Sequence, residues 1–444
     1  MSKIGIHIPT IYMPAENIDL TKWSVVACDQ YTSQPEYWEE TAGIVGDSPS
    51  TLHLIFPEVY LEEENREDRI KKINETMQRY LDAQIIKPEK PGFIFVDRQT
   101  SRAPSRKGLI MAIDLEEYDY HPGSQSLIRA TEGTVIDRLP PRVKIRQNAP
   151  IELPHVMVLI DDPERTVIEP LADQVQGLRK LYDFELMQGG GHIKGYKVDD
   201  EKLIDQVIQA LERLADPESF RAKYGVGEDK GVLLFAVGDG NHSLASAKQH
   251  WENLKQSLPR EQIQTHPARF ALVEIVNVHD DGLQFEPIHR LVFQIDPQEI
   301  LQSLVDFFRS IGSGAEVTFM KSGEALKEEM AKSRNSCQVF SFISKEKSGV
   351  VSIENPPSTL PVGSLQLFLD EYAKKHNCKI DYIHGEEVVT ALAGMDGNIG
   401  FYLPPVDKQD LFRTVILDGV LPRKTFSMGE ANEKRYYLEC RKIR

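Results

Sequence analysis

The chain has 444 residues, too many for one compact core, so two or three domains are expected. Its 52 Lys and Arg against 68 Asp and Glu leave a net charge of −16, which disfavours bulk nucleic acid and anionic membranes as partners. The four cysteines (Cys28, Cys337, Cys378 and Cys440) form no C-x-x-C pair, which argues against structural zinc and for a reduced, cytoplasmic setting. No apolar run approaches the ~20 residues that cross a bilayer, and the opening MSKIGIHIPTIYMPAEN reads as a first strand, not a signal peptide.

Lys3 to Pro9 predicts a short strand, and Ser24 to Cys28 a second, which delivers Asp29, Gln30 and Tyr31 into a polar loop. Pro35 can open a helix. Leu52 to Phe56 reads as a strand ended by Pro57. Between Glu63 and Gln84, Ile70, Ile73, Met77, Tyr80 and Leu81 recur at helical spacing and predict an amphipathic helix. Gly92 to Val96 and Lys107 to Leu115 are strand-like. Ser126 to Pro150 is locally basic, with Arg129, Arg138, Arg142, Lys144 and Arg146 against Glu132 and Asp137. His155 to Ile160 is expected as a buried strand, Pro163 to Lys180 as a helix, and Tyr182 to Met187 as a strand running into a glycine turn, Gly189 to Gly191. Asp199 to Ala215 and Pro217 to Tyr224 are two more helices.

The stretch that organises the chain is GVLLFAVGDGNHSLASAKQH, Gly231 to His250. Val232 to Val237 has the unbroken apolar pattern of a strand buried on both faces. Gly238-Asp239-Gly240 is expected to stop it, Asn241 or Ser243 to cap a helix, and Leu244 onward to continue that helix. A helix that opens at a strand's end offers free N–H groups to an anion, phosphate above all. Against this stands a plainer reading, a turn aspartate with a histidine near a cap.

Arg269 to Val278 is a further strand, and Gly282 to Phe293 contains the pair His289-Arg290. From Pro297 the texture changes to a small α/β unit: helix Pro297–Ile311, strand Glu316–Met320, helix Gly323–Lys332, strands Gln338–Ile343 and Gly349–Ile353, and helix Gly363–Lys375. A last strand is expected at Ile399–Leu403. The expected organisation is thus an N-terminal α/β domain over residues 1–296 that carries the site, and a smaller C-terminal α/β domain over 297–444 that can return the Lys424 region to it. The expected fold class is α/β, or α+β, with a mixed sheet and flanking helices. H-E-x-x-H, G-x-S-x-G and the Walker spacing are all missing, so a zinc protease, an α/β-hydrolase and a P-loop enzyme are disfavoured.

Six separated pieces, taken together and in order, resemble the prokaryotic domain-of-unknown-function family numbered ten-fifteen. They are Cys28-Asp29-Gln30-Tyr31; TEGTVIDR with Glu132, Thr134, Asp137 and Arg138; Asp239-Gly240-Asn241-His242-Ser243, where the family has D-G-H-H-R; Pro287-Ile288-His289-Arg290, its P-x-H-R; His384-Gly385; and Pro422-Arg423-Lys424-Thr425. Here Asn241 replaces a histidine, Ser243 an arginine and Thr131 a histidine. The D-G-H-H-R segment is similar to the phosphate-binding turn of ParB-like and sulfiredoxin-like proteins, which bind nucleotides there and include a free-serine kinase. The resemblance therefore implies a ParB/sulfiredoxin-like element around Gly231–His250.

It also implies a nucleotide-dependent phosphotransferase or nucleotide hydrolase acting on a small metabolite. In that scheme Glu132, Asp239 and His242 are the catalytic candidates: Glu132 as base, His242 as acid/base or phosphate ligand, and Asp239 as the Mg²⁺ contact. Gly238, Gly240, Asn241 and Ser243 form the phosphate turn. Arg129, Asp137, Arg138, His289, Arg290 and Lys424 are the further phosphate or substrate candidates, the cations among them offsetting phosphate charge. The alternatives are a non-catalytic nucleotide or metabolite sensor, a ParB-like nucleic-acid-associated protein, and a structural role. The plain readings are a solvated loop ion pair for Glu132, Asp137 and Arg138, a surface pair for His289-Arg290, and an exposed lysine for Lys424.

Overall fold

The structure is a computed structural model that describes residues 4–320, 324–332 and 336–444. Lys3 and Gly323, the expected first residues of a strand and a helix, lie outside the described residues. The fold is α/β, with mixed sheets and flanking helices. It divides into two compact units, Met1–Gln284 together with Gly429–Arg444, and Phe285–Met428; the sequence reading places its boundary at 296/297.

Among the described residues, ten strands build the sheet of the first unit: β1 (Ile6–His7), β2 (Phe93–Gln99), β3 (Arg106–Asp114), β4 (Tyr118–Asp119), β5 (Ile128–Ala130), β6 (Met157–Ile160), β7 (Arg179–Leu186), β8 (Gly191–Val198), β9 (Phe235–Asp239) and β10 (Phe270–Asn277). Their order is β7-β8-β2-β3-β10-β6-β9-β5-β4, with β1 beside β3. The pairs β4–β5, β5–β9 and β6–β10 are parallel and the others antiparallel. Successive side chains of a strand point to opposite faces, and this sheet carries a core on each. Phe93, Phe95, Leu109 and Met111 enter one core, and Ile94, Val96, Ile110 and Leu272 the other.

The helices α1 (Pro35–Val45), α2 (Arg66–Asp82), α3 (Leu139–Gln147), α4 (Glu201–Leu214), α5 (Pro217–Tyr224) and α6 (Asn241–Lys255) flank this sheet. α4 and α6 bury Ile204, Val207, Leu211, Leu244, Ala247 and Trp251 in the first core. α1 and α2 bury Trp38, Ile70, Ile73 and Met77 in the second. The tail joins that second core. Tyr436, Tyr437, Leu438 and Cys440 are buried there, Tyr437 N–H donates to Val25 O, and Arg441–Lys442 pairs with Ile151–Glu152.

The second unit has β11 (Glu286–Phe293), β12 (Gly314–Phe319), β13 (Cys337–Ser344), β14 (Ser348–Glu354), β15 (Lys379–His384), β16 (Asn398–Tyr402) and β17 (Phe426–Ser427). Their order is β12-β14-β13-β16-β11-β15, with β17 beside the start of β11. Its helices are α7 (Pro297–Ser310), α8 (Glu324–Met330), α9 (Pro361–Lys375), α10 (Glu386–Ala393) and α11 (Lys408–Asp418).

Several sequence expectations need correction. Ser24–Cys28 forms only an isolated bridge, Val26 to Tyr436, because its partner is one short piece of the tail and not a sheet. Leu52–Phe56 is no strand: Ser50 caps a 3-10 turn at Thr51–His53 through its hydroxyl. Pro163–Lys180 yields only a short helix, Glu169–Asp173, since the carboxylate of Asp162 first takes the N–H groups of Thr166 and Val167 in a turn. The basic stretch after Arg138 is the helix α3, opened by Pro140 in its first turn.

Candidate functional site

β9 does not stop at Gly238. It runs through Asp239, with a register irregularity against β6 between Val237 and Asp239, a bulge that re-aims the aspartate. Gly240 comes next, in the left-handed region at φ 77°, and a Cβ there would crowd Val156 Cα at 3.1 Å, so glycine is favoured both by backbone conformation and by space. Gly240 is the N-cap of α6 and Asn241 its first helical residue; no side chain caps this end. The expected cap by Asn241 or Ser243 is therefore not formed. The first-turn N–H groups of Asn241, His242 and Ser243 have no intrahelical acceptor, and the positive end of the helix dipole lies there.

Charged groups from several parts of the first unit gather near this turn. Lys434 Nζ lies 3.1 Å from Asp239 Oδ2, and Gly240 N–H donates to Asp239 Oδ1 at 2.9 Å. Burial pushes the Asp239 carboxyl up, but Lys434, His155 and the Gly240 N–H together hold it below its ordinary value. His155 is buried just before β6. Its Nδ1 is 2.8 Å from the Tyr437 hydroxyl and its Nε2 3.7 Å from Asp29 Oδ2. That hydroxyl accepts Cys28 N–H at 3.1 Å, which directs its own proton to His155 Nδ1.

On the opposite side His242 Nε2 accepts Val135 N–H at 3.3 Å, which assigns the proton of its neutral ring to Nδ1. Burial lowers the His242 pKa, and the Arg142 and Arg138 charges lower it further against an opposing Asp29, so the ring is neutral near pH 7. Arg142 on α3 grips Glu58 with Nε at 2.8 Å and a second nitrogen at 2.5 Å, and donates to Arg138 O at 2.6 Å. Glu58 N–H in turn donates to Cys28 O at 2.8 Å. The loop that carries Asp29 is thereby tied to Arg142.

Glu132 stands at the end of β5, whose Ala130 pairs with Val237. Thr131 donates to Val237 O at 2.6 Å and Val135 to His242, so the segment that holds half-buried Glu132 lies along the turn. Asp137 and Arg138 are exposed. Arg129 is buried; it donates to Ser126 O at 2.8 Å, Gly231 O at 2.5 Å and Val232 O at 3.2 Å.

The other sequence candidates lie in the second unit. His289 is buried, its Nδ1 accepts Leu403 N–H at 3.2 Å, and burial lowers its pKa to about 4. Arg290 is fully buried and donates to Gln366 Oε1 (2.9 Å), Ile288 O (2.7 Å), Lys424 O and Arg423 O (both 3.1 Å). The Arg290 guanidinium also lies 4.6 Å from the Tyr382 ring centroid, and Lys424 Nζ 5.5 Å from it. Ile288 pairs with His384 and Pro287 with Phe426. The six motif pieces thus form two groups of three. Asp29, Glu132 and Asp239 with their neighbours meet in the first unit. His289-Arg290, His384-Gly385 and Arg423-Lys424 meet in the second.

Sequence reading missed Lys434, His155, Tyr437 and Glu58, and passed over Arg142 as one of several local charges. Arg142 carried a signal, since the basic stretch adjoins Glu132. Lys434 carried none, because its partner Asp239 is remote in sequence and no local spacing links them.

No curated protein matches the chain. Among solved structures, a free serine kinase mutant in complex with AMP is similar over 78% of this chain and 95% of its own, at 13% identity and TM-score 0.40. A conserved hypothetical protein from Pyrococcus furiosus is similar over 74% of this chain and 90% of its own, at 13% identity and TM-score 0.34. C-terminally truncated SbnI from Staphylococcus aureus is similar over 72% and 83%, at 9% identity and TM-score 0.33. The model of the family described as "Protein of unknown function (DUF1015)" matches residues 10–372, and the chain belongs to that family.

Proposed function

We propose that the protein is a nucleotide-dependent phosphotransferase or nucleotide hydrolase acting on a small metabolite, with phosphate received at the turn Gly238–Ser243. The observation that carries this reading is the gathering of Lys434 and His155 beside Asp239, and of Arg142 and Asp29 near His242, at an uncapped helix N-terminus. The arginine of the family pattern is replaced by Ser243. Lys434 and Arg142 supply the cations that position lacks, and an open first turn adds N–H donors. Neutral His242, protonated on Nδ1, serves as a hydrogen-bond donor to phosphate. Glu132 is the base that accepts the proton of an attacking hydroxyl or water. Asp239 is the residue that would hold Mg²⁺, which takes few carboxylates together with phosphate oxygens; Lys434 is the cation already beside it. His289, Arg290 and Lys424 have no assigned step in this reading.

A thermal-shift screen of nucleotides with and without Mg²⁺ tests it, because a ligand at a hundredfold its Kd adds about 2.7 kcal/mol of stability. A nucleotide-specific rise that disappears in Lys434→Met and His242→Ala is expected. A flat screen, or a rise untouched in both variants, overturns the phosphate-turn reading. One observation favours the second reading, a sensor without turnover: the carboxylate of Asp239 is already neutralised by Lys434. Product formation over many turnovers separates the two.

A further inference from the structure

A second cleft in the first unit lies apart from the phosphate turn, between α1, α2 and the 3-10 turn Thr51–His53. Its volume is about 590 Å³, within the ~300–1,000 Å³ that ligand sites occupy. The floor is apolar and aromatic, built from Trp38, Ile55, Ile73 and Tyr80, all buried. The indole N–H of Trp38, a residue 1% exposed, has no acceptor among the described residues.

One wall is cationic. Arg69, Lys72 and Arg79 line the cleft from α2, and the spacing i, i+3, i+10 sets them on one face of the helix. Arg69 is committed: it pairs with Glu63 at 3.0 Å and stacks 4.2 Å from the Tyr60 ring centroid. Lys72 and Arg79 have no carboxylate partner among the described residues, although α2 also carries Glu67, Asp68, Glu75 and Asp82. Asp47 is the acidic lining residue against these three cations, in a chain whose net charge is −16. The same field acts on His53, whose pKa burial lowers first and the Lys72 and Arg79 charges lower further, against the Ser48 carbonyl.

We infer that this cleft binds a small molecule with a flat aromatic ring and one anionic group, the ring over the Trp38–Ile73–Tyr80 floor and the anion at Lys72 and Arg79. A flat ring fits the aromatic floor. A single anion meets two cations that no carboxylate of the described residues offsets.

The probe is 8-anilinonaphthalene-1-sulfonate, a fused aromatic ring with one sulfonate, titrated into the full chain under native conditions and monitored by fluorescence. Saturable binding of one dye per chain is expected. In Lys72→Glu with Arg79→Glu the dissociation constant rises at least tenfold. In Lys71→Glu, a neighbouring exposed lysine that does not line the cleft, it stays within twofold. Lys72→Met with Arg79→Met repeats the test without charge reversal if the double glutamate variant melts early. Equal weakening by Lys71→Glu means diffuse charge attraction and overturns the inference. So does wild-type affinity in the double variants, or the absence of saturable binding. The nucleotide screen reads the other site, so its failure leaves this outcome standing.

Discussion

Arg142 and Arg290 belong to the motif clusters of the two units and are held in different ways. Arg142 grips a carboxylate, Glu58, and lends its charge to His242 nearby. Arg290 spreads its donors over Gln366 and the carbonyls of Ile288, Arg423 and Lys424. The histidines differ in parallel. His242 is half-buried with one ring nitrogen uncommitted, while His289 is desolvated between strands. The same residue types are thus held in two ways, one set by ion pairs around a half-buried turn and the other by ties to a backbone.

The largest effect that would sharpen this contrast is on Arg290. Replacing it by Met removes a fully buried side chain and leaves Gln366 and the carbonyls of Ile288, Arg423 and Lys424 without this donor, at about 3 kcal/mol. Urea midpoints should fall well below wild type. An unchanged midpoint would break the assignment of Arg290 as a backbone tie.

Next is the acid limb. The folded chain keeps His289 neutral down to about pH 4, whereas the unfolded chain takes up that proton near the ordinary 6.5. Its contribution is therefore complete above pH 6.5 and is lost progressively between pH 6.5 and about 4, to a limit of about 3 kcal/mol. Stability of His289→Gln measured by denaturant across that range should fall less steeply than wild type.

Asp239 titrates with the opposite logic. Its folded pKa is depressed, so its ion pair contributes above the ordinary carboxyl range and is lost as pH falls through the folded value. Asp239→Asn is expected to cost about 1–2 kcal/mol at pH 7 and progressively less as pH falls below the ordinary carboxyl range, which unfolding curves followed down the acid limb would check. The smallest effect is a gain. Ser243→Arg restores the arginine of the family pattern beside the open helix turn and should tighten nucleotide binding several-fold, about 1 kcal/mol, by calorimetry. No gain would mean that Lys434 and Arg142 already satisfy the anion.

Much of the architecture was legible because its signals are local. The strand–glycine–helix of Phe235–Lys255, the amphipathic α2 and α4, and the short apolar strands Cys337–Ser344 and Ser348–Glu354 can be read from local pattern alone. Leu52–Phe56 misled because a short stretch with four apolar residues of five suits a turn buried under α2 as well as a strand. The candidate cluster was half legible. Asp239, His242 and Glu132 announced themselves through glycine and charge patterning. Lys434, Tyr437 and His155 did not, since tertiary packing joins them and sequence neighbourhood does not.

The tail that carries Lys434 and Tyr437 has a consequence for how the protein is made. Trp23 donates its indole N–H to Leu438 O across 415 positions of chain, and Ser24 donates to Tyr437 O across 413. A ribosome must therefore finish the whole of Phe285–Met428 before the first unit receives its last buried residues. Closing so long a loop is entropically slow, while each doubling of its length adds only about 0.6 kcal/mol. During synthesis the nascent first unit waits with an open seam along Val25–Ala27, and Asp239 gains its lysine only after translation has passed it by 195 residues.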